Sequence, residues 1–111
     1  ILMKSQIFKD NVPNKLLFDF LENTCVKYNN YYLFDKCAYK KALLKDTVYD
    51  FLGECRKYYY TSKYKYLDKP LTFNSLVTVI RQICKCNNIT YTSKIKYDHS
   101  TYDLLYYIYT I

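Results

Sequence analysis

Between residues 72 and 87, the apolar residues Phe73, Leu76, Ile80, Ile83 and Cys84 recur at three- and four-residue steps, which stacks them on one face of a helix. The opposite face carries Asn74, Thr78, Arg81, Gln82 and Lys85, and no acidic residue stands between Phe73 and Tyr97. Thr72 is placed to cap the start, and Asn87-Asn88 to end the helix in a left-handed conformation. Residues 89–97 and 101–110 then alternate as strands do, with Asp98-His99-Ser100 as the turn between them. The chain thus ends in a polar-striped helix followed by a β-hairpin.

The upstream pattern is helical with one interruption. Residues 1–12 have no clear period and read as an arm or short edge strand. Pro13 sits where helices start, and Leu16, Leu17, Phe20, Leu21 and Thr24 predict a helix over 14–27. Asn29-Asn30 supply turn residues that tolerate positive φ. Tyr31–Phe34 reads as a strand, Asp35 as the cap of a helix over Lys36–Leu44, and Asp46 or Thr47 as the cap of another. In that last helix Val48, Phe51, Leu52 and Cys55 point inward, while Asp50, Glu54 and Lys57 point outward. Residues 58–70 alternate tyrosine and lysine without a helical period, as an extended linker or a basic loop. The elements add up to one α+β domain over 13–111, winged-helix-like, with three or four helices and a C-terminal hairpin behind the arm.

Composition shifts this picture toward a polyanionic partner. The 111 residues include 17 Lys and Arg against 10 Asp and Glu, a formal charge of +7. The charge is concentrated: residues 36–69 hold nine basic residues against four acidic ones, whereas residues 1–35 are balanced. A basic segment of this kind favours nucleic acid, although a solvated lysine coat would look the same. Lysine outnumbers arginine 15 to 2, as expected of an A/T-rich gene, which inflates the lysine count. Five cysteines in no framework spacing point to reduced thiols and an intracellular setting. Residues 1–10 lack the pattern of a secretory leader, and no apolar run approaches the ~20 residues that span a bilayer, so no membrane association is expected. The chain opens Ile-Leu-Met, which leaves open that it is part of a longer protein.

No catalytic constellation emerges. Cys84 and Cys86 lie about 200° apart on a helix, a poor zinc pair. The one histidine, His99, stands in a hairpin turn without a partner to orient it, and one glycine cannot build a phosphate loop. The chain is therefore read as a non-enzyme without a metal or cofactor. Recognition of DNA instead needs short polar and basic side chains on one helix face and an apolar face to hold the helix on its domain. Asn74, Thr78, Arg81, Gln82 and Lys85 fit by type and spacing, and helix-then-hairpin is how a winged-helix DNA-binding domain ends. Lys94 and Lys96 share one face of the first hairpin strand, where they would meet phosphates. Arg56, Lys57, Lys63 and Lys65 could hold a backbone while Tyr59, Tyr60, Tyr64 or Tyr66 stack unpaired bases, so RNA or single strands stay open as ligands. The competing view of these tyrosines is that they cover the core.

The last strand is apolar on both faces. Tyr102, Leu104, Tyr106 and Ile108 form one face, and Leu105, Tyr107 and Tyr109 the other. One face can pack on the striped helix; the second needs cover from the arm or from a second copy, which predicts a homodimer. A protein-interaction or virion structural module is the alternative to DNA binding.

Residues 14–110 resemble a family of small lysine- and tyrosine-rich proteins of large nucleocytoplasmic DNA viruses and their satellites. The resemblance lies in Tyr31-Tyr32-Leu33-Phe34-Asp35, in the stretch from Leu71 to Lys85, and in Lys94-Ile95-Lys96-Tyr97-Asp98-His99-Ser100-Thr101-Tyr102. It implies a host cytoplasmic, nuclear or virion setting, with viral or host partners, and no defined activity.

Overall fold

The computed structural model describes residues 12–58 and 71–110. Helix α1 (Asn14–Thr24) buries Leu17, Phe20, Leu21 and Thr24, with Pro13 just before its first turn. It ends three residues earlier than the periodicity predicts. Thr24, the last residue of the helix, satisfies its buried hydroxyl on the Phe20 carbonyl at 2.8 Å. Cys25 is already extended, and β-branched Val26 enters strand β1 (Val26–Lys27). Strand β1 pairs antiparallel with β2 (Tyr31–Phe34), where Tyr32 and Phe34 are buried and Tyr31 and Leu33 half-buried.

Asp35 starts α2 (Lys36–Leu44) by accepting the Ala38 N–H at 3.0 Å, as expected. Helix α2 buries only Ala38 and Ala42. Helix α3 (Thr47–Cys55) buries Val48, Phe51, Leu52 and Cys55, and Phe51 stacks on Phe20 of α1 with ring centroids 4.3 Å apart. Its start corrects the expected cap. Asp46 takes the left-handed conformation (φ 55°) and makes no side-chain capping bond, so it serves as the tight turn between α2 and α3. A single 3-10 turn, Arg56–Tyr58, follows.

Helix α4 (Phe73–Cys86) begins where Thr72 Oγ1 accepts the Ser75 N–H at 3.1 Å, and Asn88 (φ 57°) lies just beyond it. It buries Leu76, Val77, Val79, Ile80, Ile83 and Cys84, a wider arc than the sequence stripe, which lacked Val77 and Val79. Val79 lies about 100° round the helix from Ile80, so α4 is enclosed on more than one side. One side lies on the sheet: Val77, Ile80 and Arg81 surround a void of about 10 Å³ together with Phe34, Tyr91, Tyr106 and Ile108. The helix is fastened at both ends. Tyr39 of α2 donates its hydroxyl to the Leu71 carbonyl and sets its ring edge-on to Phe73, at 5.7 Å. Asn87 donates to the Val12 carbonyl and to Asn14 Oδ1, which ties α4 to the start of α1 and draws Val12, buried here, into the core.

Strands β3 (Tyr91–Asp98) and β4 (Thr101–Tyr109) form the expected hairpin, but Asp98 pairs with Thr101, so the turn is two residues rather than three. His99 (φ 56°) supplies the positive φ that such a turn needs. Strand β4 also pairs along β2, giving a four-stranded antiparallel sheet in the order β1-β2-β4-β3. Among the described residues the fold is therefore α+β: four α-helices with a four-stranded sheet that closes on the C-terminal hairpin.

Candidate nucleic-acid interface

The striped helix does present its polar face outward, though unevenly. Asn74, Arg81 and Lys85 are exposed, while Thr78 and Gln82 are half-buried. Thr78 spends its hydroxyl on the Asn74 carbonyl at 2.9 Å. Arg81 is held in place: its Nε donates to the Tyr91 hydroxyl at 3.2 Å, and its guanidinium carbon lies 5.7 Å from the centre of the Tyr91 ring. The hydrogen bond to Tyr91 raises the Arg81 pKa further. A guanidinium stacked on an aromatic ring keeps most of its donors free and loses little conformational entropy on binding. Lys85, one turn further on, has no such anchor.

The hairpin outruns the helix. Phe73, in the first turn of α4, lies against Phe34 and Tyr106, so β4 from residue 105 down to 101 and its β3 partners extend beyond that contact. At about 3.4 Å per residue this is an arm of roughly 17 Å. Its α4-side face carries Ile95, Tyr97 and Tyr102, which are 49%, 74% and 57% exposed. Lys94 and Lys96 do share a face, as the alternation predicts. That face is the outer one, together with Leu105, Tyr107 and Tyr109, and not the side on which α4 lies. The hairpin lysines and the α4 cations thus lie on opposite sides of strand β3. Lys96 also lies opposite Asp103, which reduces its net charge effect.

The outer face of the sheet is a row of tyrosines. Tyr28 stacks on Tyr31 at 4.9 Å, Tyr31 on Tyr107 at 5.1 Å with the planes 5° apart, and Lys94 Nζ caps Tyr107 at 5.5 Å from its centre. Burial and the neighbouring phenols raise the Tyr31 pKa. Tyr107 and Tyr109 lie opposite Leu33 and Tyr31 of β2, and Leu105, Tyr107 and Tyr109 are half-buried rather than wet. Because the rings face one another, this row offers hydroxyl edges and not open platforms for bases. Sequence reasoning missed Tyr28, Tyr31 and Leu33 as its members, although Tyr31-x-Leu33 already alternates with the buried Tyr32 and Phe34.

The remaining candidates separate. Arg56 and Lys57 are exposed at the end of α3, and Lys57 is engaged with Glu54 at 3.0 Å. Lys63 and Lys65, with Tyr59, Tyr60, Tyr64 and Tyr66, lie outside the described residues. Carboxylates collect elsewhere, where Asp19, Asp50 and Glu54 rim a groove of about 230 Å³ floored by Leu16, Phe20 and Phe51. The sequence reading also passed over Lys36, Lys40, Lys41 and Lys45, all exposed on or just after α2, counting them only within a segment's net charge. All five cysteines are free thiols, and burial pushes those of Cys25, Cys55 and Cys84 up to about 12. Thiols so desolvated are weak nucleophiles and weak metal ligands. Among the described residues no three His, Cys, Asp or Glu side chains gather as a metal site, and no helix is long and apolar enough to cross a membrane. The chain matches no protein-family model, no curated protein and no solved structure.

Proposed function

We propose that this protein binds DNA without catalysing a reaction, through the outward face of α4 and the adjoining hairpin, in the manner of a winged-helix domain. The observation that carries the reading is Arg81, fixed on Tyr91 at the seam between α4 and β3, on a helix face with Asn74 and Lys85 and without a carboxylate. A long hairpin projecting beyond the start of that helix, and a strand (β2) between α1 and α2 that pairs with β4, accord with the winged-helix reading. Two features mark a departure from it. Helix-turn-helix units join their helices by three or four residues, whereas residues 56–72 separate α3 from α4. The hairpin lysines also face away from α4. The resemblance noted above points to a viral intracellular role, regulatory or in genome packaging. Gel shifts with duplex and single-stranded DNA at two salt concentrations test the reading; a phosphate binder loses affinity linearly in log[salt].

A second reading, a homodimer or protein-interaction module, is favoured by the outer tyrosine row. Leu33, Leu105, Tyr107 and Tyr109 are only half-buried, and no described helix element packs on that face. Tyrosine is enriched at protein interfaces, and a two-fold contact would cover both copies with one patch. Sedimentation at micromolar concentration, with Tyr107→Lys as the variant, distinguishes a dimer from a monomer.

A further inference from the structure

We infer that the outward face of α2 is a second, sequence-independent contact surface for the nucleic-acid phosphate backbone. The inference rests on the DNA-binding reading and adds to it a surface separate from α4. Lys36, Lys40 and Lys41 lie on α2 and Lys45 directly follows it; all are exposed, and none has an ion-pair partner among the described residues. Where a helical lysine has a carboxylate three or four residues away it pairs, as Lys15 does with Asp19 at 2.7 Å and Lys57 with Glu54 at 3.0 Å; α2 contains no carboxylate to offer its lysines. Lys36 and Lys40 stand at i and i+4, as do Lys41 and Lys45, an arrangement that destabilises a helix by like-charge repulsion. Only Lys36 and Lys40 lie together within the helix, and Lys41 and Lys45 at its C-terminal end are favoured by the helix dipole, so it is the Lys36/Lys40 pair that the stability of α2 does not explain.

Charge segregation supports the same conclusion. Asp19, Asp50 and Glu54 of α1 and α3 gather around the α1–α3 groove, while α2 itself contains no carboxylate, the nearest in sequence being Asp35 and Asp46 at its two ends. Unpaired lysines on a rigid helix are suited to phosphates as point charges and carry no base specificity. Helix α2 is also tied directly to the start of α4 through Tyr39. An anionic membrane surface would be attracted by the same lysines. Leu44, 86% exposed, is the one large apolar residue on this face, too little area to seat a nine-residue helix in a bilayer.

The test is the salt dependence of duplex binding by the full chain, wild type against K36Q/K40Q/K41Q/K45Q. Glutamine keeps helix propensity, and a circular-dichroism melt verifies folding. Each phosphate contact contributes about −0.9 to the slope of log K against log[salt], so the slope should become shallower by roughly 3 to 4. Over a fourfold rise in salt this removes about a 150-fold share of the loss in affinity. Should the quadruple variant melt early, K36Q/K40Q alone should still shift the slope by about half as much. K15Q, which removes a lysine already paired with Asp19, is the control and should leave the slope nearly unchanged. A wild type that binds no DNA refutes the function itself. A wild type that binds while the α2 variants keep its slope, or while the control shifts the slope as much per charge, overturns the inference alone. Tighter binding to anionic phosphatidylserine vesicles than to duplex, abolished by Leu44→Gln, overturns it in favour of a membrane.

Discussion

Helices α4 and α2 are both basic on their outer sides, yet they stand in opposite relation to the fold. Helix α4 commits six side chains to the core, is capped by Thr72 and tied at its end by Asn87. Helix α2 buries two alanines, packs Tyr39 and Leu43 only partly against the core, and starts on the Asp35 cap. A cation on α4 is therefore placed by packing, to the point that Arg81 rests on a neighbouring ring. Cations on α2 are placed only by helical spacing. The first arrangement suits a contact whose geometry matters, the second a contact in which only charge matters.

Truncating the α4 core should break this contrast most severely. Ile83→Ala, at a fully buried position, should lower the unfolding free energy by about 2–5 kcal/mol, measured by urea titration. Ala42 on α2 is equally buried but small, so its replacement by Gly should cost less, about 1 kcal/mol. A similar loss for both would mean that α2 is as deeply integrated as α4. Next in size, Asp35→Ala removes the capping bond of α2 and should cost about 1 kcal/mol, whereas Asp46→Gly, which keeps the left-handed turn and has no capping bond to lose, should cost little.

Alkaline conditions sharpen the same contrast. The Cys55 and Cys84 thiols titrate near 9 when unfolded and near 12 when buried. The folded state therefore retains these protons longer, and stability should fall as pH rises from about 9 toward 12 while staying unaffected below 9. A Cys55→Ala/Cys84→Ala variant should flatten that decline. In the native protein the exposed Cys37 of α2 should react with a thiol reagent first, and Cys84 of α4 only on unfolding.

Much of this was legible in the residues. Residues with strong local signals, such as Tyr31–Phe34, Asp35 and Thr72, form the elements their types predict. The end of α1 was not, because Val26 and Lys27 leave the helix only to pair with β2, a partner that local periodicity does not reveal. The same limit hid the pairing of β2 with β4, and with it the fact that Tyr31 and Leu33 join Leu105, Tyr107 and Tyr109 on one face. Alternation placed Lys94 and Lys96 together but could not say on which side α4 would lie. Val77 and Val79 look like stripe edges in the sequence and are buried because α4 is enclosed on more than one side.

The most direct measurement of the central claim compares wild type with R81A/K85A for binding to a labelled duplex at low salt, alongside their melting temperatures. The account predicts a loss of affinity of at least tenfold, within the range of about 1–3 kcal/mol for a base-reading arginine plus a lost phosphate contact. The melting temperature should change little, since both side chains are exposed and Arg81 gives up only its contact with Tyr91. Equal affinity for the duplex, or a midpoint that falls by many degrees, would contradict the account and make the polar face of α4 a structural surface.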